Sequence, residues 1–338
     1  MKPTTIYNNA LLMNAQMNRR SPINARRNSR ARALFVRALA VAAALALWQS
    51  PEALAATPTG KSFATPQEAV AALERAASAA SLTELRAIFG PGLDEIANPD
   101  RVQATNELAT FASGLSETNR LVPIAQKRLA IEYGPEATLF PVPLVENSGR
   151  WVFDTEAGAE ELINRRIGRN ELAVLEVVRA YVDAQREYAG RDRDEDEVLE
   201  YAQKFGSTPG TKDGLYWPRD LDGTMSPLGP LVAEAQAVGY RKSAGAGPQP
   251  FHGYYFRILT RQGKHAPGGA YDYIINRNMI GGFALVAWPA EYDETGVMTF
   301  IVNQQGRVYQ KDLGSKTAQV AESIKAYDPD KTWQPSPD

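Results

Sequence analysis

Residues 170–192, NELAVLEVVRAYVDAQREYAGRD, carry the clearest helical pattern of this 338-residue chain. The apolar residues that recur at the spacing of one helix face are Leu172, Leu175, Val178 and Val182. Gly190 follows them, where a helix terminator is expected. The pattern predicts a long amphipathic helix that buries this face against another layer of structure.

The chain after this helix predicts an antiparallel sheet. Gly- and Pro-rich loops first hold one short helical segment, GPLVAEAQAVG, and alternating apolar residues then indicate strands. The strand candidates are YYFRILT, AYDYII, GGFALVAWP, GVMTFIVN and RVYQK, and the last helix candidate is KTAQVAESIKAY. Residues 166–330 are therefore predicted to form a domain with a long helix against an antiparallel sheet, followed by a tail at 331–338.

The chain before this helix predicts a smaller mixed domain. The capping boxes TPQE (65–68) and SLTE (81–84) each indicate a helix start, and a weaker helix is expected over 101–112. RLAIEYG, TLFPVPLV and RWVFD indicate strands, with the prolines at a sheet edge, and TEAGAEELINRRIGRN returns to helix. Residues 65–165 are thus predicted to form the first of two domains, each with helices on a small antiparallel sheet, and the predicted fold class is α+β.

The first 55 residues resemble an export signal. Eight Lys/Arg precede the apolar run ALAVAAALALW, and Ala53 and Ala55 form an A-x-A site. Eleven apolar residues are too few to span a bilayer. We expect cleavage near Ala55, a linker at 56–64 and a soluble periplasmic or extracellular protein without a membrane span; the alternative is a disordered basic tail.

Composition narrows the function classes. Residues 1–55 hold eight of 37 basic and one of 39 acidic residues, so the remainder has 29 against 38 and a net charge of −9. An acidic body argues against a nucleic-acid partner. Cysteine is absent, which excludes thiol catalysis, thiolate metal sites and disulfides.

The segment RDRDEDEVLEYAQKF, residues 191–205, is the candidate metal site. Its potential calcium ligands are Asp192, Asp194, Asp196 and Glu200. Calcium loops of the EF type place Gly sixth and Glu twelfth, but those positions hold Glu197 and Gln203 here. The other interpretation is a solvated turn whose acids are balanced by Arg191 and Arg193.

Aromatic residues concentrate in the second half and suggest a ligand-binding face. The candidate residues are Trp217, His252, Tyr254 and Tyr255, with a saccharide or an envelope protein as the partner. The alternative is that the tyrosines pack the sheet and that His252 is a hydrogen-bonded strand end. His265 is expected to be an exposed turn residue. Two separated histidines make a zinc hydrolase site improbable.

The sequence contains none of the common catalytic motifs that we considered for nucleophilic or phosphate chemistry. The chain lacks G-x-S-x-G, a phosphate-binding loop and G-x-G-x-x-G, and its serines stand in no Ser/His/Asp order. We therefore expect a non-enzymatic binding or scaffolding protein of the bacterial cell envelope. The alternative is a carboxylate-dependent envelope hydrolase, with Asp213, Asp272 or Glu291 as candidate acids because they adjoin aromatic segments.

Many stretches together resemble an uncharacterised bacterial family, domain of unknown function 2950. They include FATPQEAVAAL, WVFDTEAGAEELINRRIGRNELAVL, STPGTKDGLYWP, FHGYYFRILTRQG and PGGAYDYIINRNMIGGFALVAWPAEYDETGVMTFIVNQQGRVYQKDLG. The resemblance covers nearly all of residues 62–334 and implies an exported bacterial protein, without an established activity. It also implies an acidic loop of the type D-x-D-G-D-G, in which Glu195 and Glu197 replace turn glycines here, which speaks against calcium.

The latter half is also similar to the globular part of pilin-like and pseudopilin-like proteins. The similarity rests on AYVDAQREYA, EYAQKF, DGLYW and YYFRIL, and it implies a helix laid against an antiparallel sheet. Pilins assemble through an apolar helix at the start of the mature chain. Here the corresponding helix begins near Asn170, follows another domain and is amphipathic, so the resemblance implies a shared fold and not pilus assembly.

Overall fold

The structure is a computed structural model that describes residues 60–193, 195–221, 223–240 and 249–337. The described residues belong to one compact unit. The expected signal segment, residues 56–59 of the expected linker, and Asp194 lie outside the described residues. No helix within the described ranges is long and apolar enough to cross a membrane.

Four helices open the described chain, and the predicted caps are confirmed. Their bounds are α1 Pro66–Ser78, α2 Leu82–Phe89, α3 Leu93–Ile96 and α4 Arg101–Glu117. The Thr65 hydroxyl accepts the Glu68 N–H at 3.2 Å, and the Ser81 hydroxyl accepts the Glu84 N–H at 3.3 Å. Each bond satisfies a donor that the first helical turn leaves without an intrahelical partner. Asp100 caps α4 in the same way.

The first sheet follows these helices. Its strands are β1 Asn119–Ala125, β2 Arg128–Tyr133, β3 Thr138–Leu139, β4 Leu144–Asn147 and β5 Arg150–Phe153. They pair in the order β1-β2-β4-β5, with β3 on β2, and the β1–β2, β2–β3, β2–β4 and β4–β5 pairs are antiparallel. The strand predictions for β2 and β5 are confirmed, whereas the TLFPVPLV segment divides into β3 and β4 around its prolines. Strand β1 was not predicted.

A single helix of 34 residues, α5 Thr155–Tyr188, replaces the two expected helical segments, TEAGAEELINRRIGRN and NELAVLEVVRAYVDAQREYAGRD, which adjoin at Asn170. The helix contains two glycines, Gly158 and Gly168, and no Pro, and each Gly costs only about 1 kcal/mol within a helix. The helix therefore continues through the predicted domain boundary. Leu172 is 67% exposed, so its placement on the buried face was wrong, whereas Leu175, Val178 and Val182 are buried.

The second sheet lies in the latter half of the chain. The elements there are α6 Gly229–Ala237, β6 Tyr254–Leu259, β7 Arg261–Gln262, β8 Tyr271–Asp272, β9 Ile274–Ile275, β10 Asn278–Met279, β11 Ala284–Pro289, β12 Met298–Asn303, β13 Tyr309–Asp312, α7 Thr317–Ser323 and β14 Gln334–Pro335. The main sheet has the order β14-β13-β12-β11-β6. The AYDYII segment, expected as one strand, divides into β8 and β9, which pair with β7 and β10 outside the main sheet.

Two hydrophobic clusters fill the compact unit. One lies among α1, α2, α4 and the first sheet. The other joins the second half of α5 to the main sheet, and α5 contacts both β11 and β12. The α+β class is thus confirmed. The two cores agree with two domains, but a continuous helix links the two halves, so the domain division stays a prediction.

Candidate functional site

The site begins with a tight turn at the start of β6. Phe251 and Tyr254 exchange backbone hydrogen bonds of 2.8 and 3.1 Å, and the residues between them, His252 and Gly253, have φ of 51° and 71°. Two successive left-handed residues define the turn that fits the twist of a hairpin, for which Asn-Gly is the preferred pair. His252 therefore adopts a backbone conformation that costs a non-glycine residue energy.

Gly253 is required by close packing as well as by its φ. A Cβ atom at this position would lie 2.6 Å from Asn170 Nδ2 and 2.9 Å from Thr295 Cβ. The Asn170 amide in turn donates to the Thr295 carbonyl at 2.8 Å. The turn is thereby held against helix α5, which fixes where the imidazole lies.

Two side-chain amides lie beside the imidazole. Gln103 Nε2, on α4, donates to Asn170 Oδ1 at 3.0 Å and lies 3.4 Å from His252 Nδ1. Because an amide NH₂ only donates, this contact favours the tautomer in which Nδ1 accepts and Nε2 carries the proton. The arrangement presents Nε2–H as the imidazole's hydrogen-bond donor.

A buried carboxylate and two aromatic rings complete the cluster. The Tyr240 hydroxyl donates to Asp100 Oδ2 at 2.5 Å, and Asp100 is only 6% exposed. The Phe251 ring centroid lies 4.1 Å from that of His252 and 5.0 Å from that of Tyr240. The three rings are half-buried. We refer to Tyr240, Phe251 and His252 as the aromatic cluster.

Burial sets the charge of the imidazole. It lowers the pKa of His252 below its ordinary value, and the negative charge of Asp100 raises the pKa in part. A neutral imidazole beside aromatic rings is suited to donating a hydrogen bond to a polar ligand that stacks on those rings. Sequence reasoning found His252 but missed Asp100, Gln103, Asn170 and Tyr240.

Two of the other three predicted ligand-binding residues are buried. Trp217 is 1% exposed and Tyr254 is fully buried, and both belong to the core of the second half. The Arg193 and Lys212 side chains lie over the Trp217 ring. Tyr255 is half-buried and packs beside Trp288, with 5.9 Å between ring centroids. A role of these residues in binding stays a prediction.

The acidic loop is organised around Asp192. Its carboxylate accepts the N–H of Glu195 at 2.8 Å and that of Glu197 at 2.9 Å. Glu195 and Glu197 both have φ of 65°, the conformation that glycine adopts most readily. These are the two positions at which the resemblance implied turn glycines.

Two further acids of this loop, Asp196 and Glu200, bond to β10. Asp196 accepts from the Asn278 amide at 2.6 Å, and Glu200 accepts the Met279 N–H at 2.9 Å. Within the described ranges, no group of three or more acids or histidines could hold a metal ion. Asp194, a predicted ligand, lies outside those ranges, so the calcium site stays a prediction.

Two of the three candidate acids for a hydrolase are already paired. Asp213 binds Lys204 and the Thr208 and Thr211 hydroxyls; although its burial opposes ionisation, these hydrogen bonds hold its pKa well below the usual range. Asp272 pairs with Arg261 at 3.1 Å. Ion pairs and hydrogen bonds of this kind are common at protein surfaces, where each contributes little to stability.

Comparison with known proteins places the chain in one family. No curated protein and no solved structure matches it, so the likeness to pilins stays a prediction. The profile of a family described as protein of unknown function (DUF2950) matches residues 60–336, nearly the whole described chain. The predicted family resemblance is confirmed, and the chain belongs to the DUF2950 family.

Proposed function

We propose that this protein is an exported, non-enzymatic binding protein of the bacterial cell envelope, and that its aromatic cluster recognises an envelope saccharide. The observation that carries this proposal is the setting of His252. A half-buried imidazole whose Nδ1 faces the Gln103 amide stands on a strained turn beside two aromatic rings. Strained backbone is concentrated at binding and active sites.

The chemistry of the cluster suits a sugar. Pyranose rings offer C–H faces that stack on aromatic side chains and hydroxyl groups that accept from an N–H donor. The ring of Phe251 and the Nε2–H of His252 supply both kinds of contact within one turn. Asp100 accepts the Tyr240 hydroxyl, and Gln103 contacts the His252 imidazole and donates to Asn170.

Binding fits this geometry better than turnover does. A glycosidase needs two carboxyl groups about 5–10 Å apart on either side of the scissile bond. Asp100, the acid beside the cluster, is buried and accepts from Tyr240 and from two backbone N–H groups. Its oxygens are thus engaged by the protein.

Export is supported by the leader. A basic stretch, an apolar run and an A-x-A site precede residue 56, as in secretory signals. Fractionation of a Gram-negative host that makes the full chain tests this part. We expect a shortened protein in the periplasm, and retention of the full-length chain in the cytoplasm would contradict export.

The binding part is tested with a tetramer of N-acetylglucosamine as the probe. The chain has only two histidines, so its imidazole ¹H–¹⁵N spectrum holds two signal sets, assigned with His265→Asn. We expect the probe to shift the His252 signals, and His252→Asn to weaken binding at least about tenfold while His265→Asn leaves it unchanged. Asparagine suits the left-handed turn, so His252→Asn removes the imidazole and keeps the backbone.

Two outcomes would overturn the proposal. Absence of any His252 shift and of any calorimetric heat would remove the saccharide site. Release of shorter sugars from the tetramer, abolished by His252→Asn in a folded protein, would replace binding with hydrolysis.

A further inference from the structure

Strand β6 ends the main sheet and has one side without a neighbouring strand. The sheet order places β11 on one side of β6, and the register pairs Tyr254 with Pro289 and Leu259 with Ala284. The Ala290 N–H bonds to the Gly253 carbonyl. Since backbone groups alternate in direction along a strand, the odd-numbered residues 253–259 bond to β11 and the even-numbered residues face outward.

The ends of the outward side are already in use. Tyr254 bonds to Phe251, and the Thr260 carbonyl accepts the Tyr273 N–H at 2.8 Å. Between them lie Phe256 and Ile258. Among the residues that the structure describes, no group bonds to the outward N–H and C=O of these two residues. Four backbone groups are therefore available to an added strand.

A groove lies beside the second half of β6. It has a cavity volume of about 380 Å³ and is lined by residues 257–261 together with Ile324 and Lys325. This volume lies at the lower end of the range for ligand sites. Five of its lining residues, 257–261, are consecutive in the chain, so the groove offers room beside an extended stretch that continues β6.

The groove is positively charged. Arg257 donates to the carbonyls of Ala321, Glu322 and Ile324 at the end of α7, and these acceptors are neutral. Lys325 likewise donates to the Glu322 carbonyl. Arg261 is the third cation, and it pairs with Asp272 in an exposed contact. The Glu322 carboxylate also acts on Arg257 and raises its pKa in part, against the lowering by burial. Three cations therefore stand against two carboxylates, those of Asp272 and Glu322.

The charges select the occupant. Two copies that paired antiparallel through Phe256 and Ile258 would place Arg257 opposite Arg257 of the other copy, and like charges across a strand pair are unfavourable. Positive edge residues are a common protection against such self-association. An acidic strand would keep the backbone bonds and gain attraction to the same cations.

We propose that the outward side of β6 binds an extended acidic peptide by strand addition. The Phe256 and Ile258 backbone groups supply the pairing, and Arg257, Arg261 and Lys325 supply the preference for acidic residues. This site is separate from the aromatic cluster and does not depend on saccharide binding.

The test uses the full chain and a fluorescent peptide of about nine residues that alternates Glu with Val. A Lys/Val peptide of equal length is the charge control. A Glu/Val peptide methylated on alternate backbone nitrogens is the pairing control. We expect fluorescence anisotropy to report binding of the unmethylated Glu/Val peptide, with at least about tenfold weaker binding of both controls.

Protein variants test the same site. Arg261→Glu should weaken binding of the Glu/Val peptide at least about tenfold, because it reverses one charge of the groove and leaves the backbone groups of β6 unchanged. Ile258→Pro removes an outward N–H while the bonds to β11 remain, as at edge positions that tolerate proline. The methylated peptide keeps the test valid if Ile258→Pro does not fold.

Three results would overturn the proposal. The first is no binding of the Glu/Val peptide at about 1 mM, which corresponds to about −4 kcal/mol. The second is equal binding of the methylated peptide or of the Lys/Val peptide. The third is a concentration-dependent dimer of the full chain that Ile258→Pro abolishes, because a second copy would then be the occupant.

Discussion

The side-chain nitrogen of Gln103 lies 3.4 Å from His252 Nδ1, although 149 positions separate the two residues in the chain. The contact joins α4 to the turn that opens β6. Within the described part of the chain, no carboxylate hydrogen-bonds to either ring nitrogen of this half-buried imidazole, since Asp100 bonds to Tyr240, and the contact with Gln103 orients the ring. The folded protein therefore favours the neutral form of the His252 imidazole.

This contact predicts a pH dependence of stability. Burial lowers the pKa of His252 in the folded protein, whereas the unfolded imidazole titrates near pH 6.5. As the pH falls below about 6.5, the unfolded chain takes up a proton before the folded chain does, so the free energy of unfolding decreases. Stability from this group is fully present above about pH 6.5 and is lost as the pH falls through the folded pKa.

Urea unfolding of the wild type and of His252→Asn between pH 7.5 and pH 5 measures this effect. We expect a smaller decrease in the variant, since it lacks the imidazole and keeps the turn. NMR titration should place the His252 midpoint below about 6.5. A midpoint above that value would show that the imidazole gains its proton on folding.

The packing of Gly253 against Asn170 predicts a second effect. Gly253→Ala combines a left-handed φ of 71° with a Cβ 2.6 Å from Asn170 Nδ2. Backbone strain costs about 1 kcal/mol and overpacking adds about 1–3 kcal/mol. Gly149→Ala is the matched control, with φ of 76° and nothing within 4 Å of the added Cβ. Equal losses in urea unfolding would mean that the contact with Asn170 carries no cost.

Replacement of Glu by Gly is expected to have opposite effects on stability in the acidic loop and in helix α5. Glu197 has φ of 65°, where glycine relieves about 1–2 kcal/mol of strain and adds about 0.5–1 kcal/mol of chain entropy cost. Glu197→Gly should therefore raise the free energy of unfolding slightly. Glu176→Gly, on the exposed face of α5, should lower it by about 1 kcal/mol. A loss in both variants would contradict strain at Glu197.

Local signals were sufficient for much of the fold. The caps at Thr65 and Ser81 depend on bonds between residues three apart, so the sequence alone identifies them. The α+β class followed from the change of hydrophobic period along the chain. The joining of two helices into α5 was missed, since a domain boundary was placed near residue 165 and no local signal shows whether a helix continues from one core to the next.

The candidate site was found only in part, for a physical reason. His252 attracts notice as one of two histidines, but its neighbours Gln103 and Asn170 are ordinary helix residues in the sequence. Their contacts arise when α4, α5 and the β6 turn pack together. Hydrophobic periodicity indicates which face of a helix or strand is buried. It does not indicate which residues of two distant elements will contact each other.

The corrected face of α5 can be checked directly. Leu172 is 67% exposed, whereas Leu175, one turn later, is buried in the core of the second half. Leu172→Ala should change the free energy of unfolding by less than about 0.5 kcal/mol, and Leu175→Ala should lower it by about 2–5 kcal/mol. Denaturant unfolding of both variants measures the difference. A comparable loss at Leu172 would restore the predicted face.

Substitutions of Trp217 distinguish a role in the hydrophobic core from a role in ligand binding. Its ring is 1% exposed, and its Nε1–H has no hydrogen-bond partner among the described residues. Trp217→Ala should therefore lower the free energy of unfolding by about 3–5 kcal/mol. Trp217→Phe should cost far less, because phenylalanine fills most of the volume and removes a buried donor without a partner. Trp333→Ala, at a half-buried ring, is the control and should fall between these two. If Trp217→Phe retained full stability but lost binding of the N-acetylglucosamine tetramer, the indole would contact the ligand, and the site would have to extend from the aromatic cluster into this core.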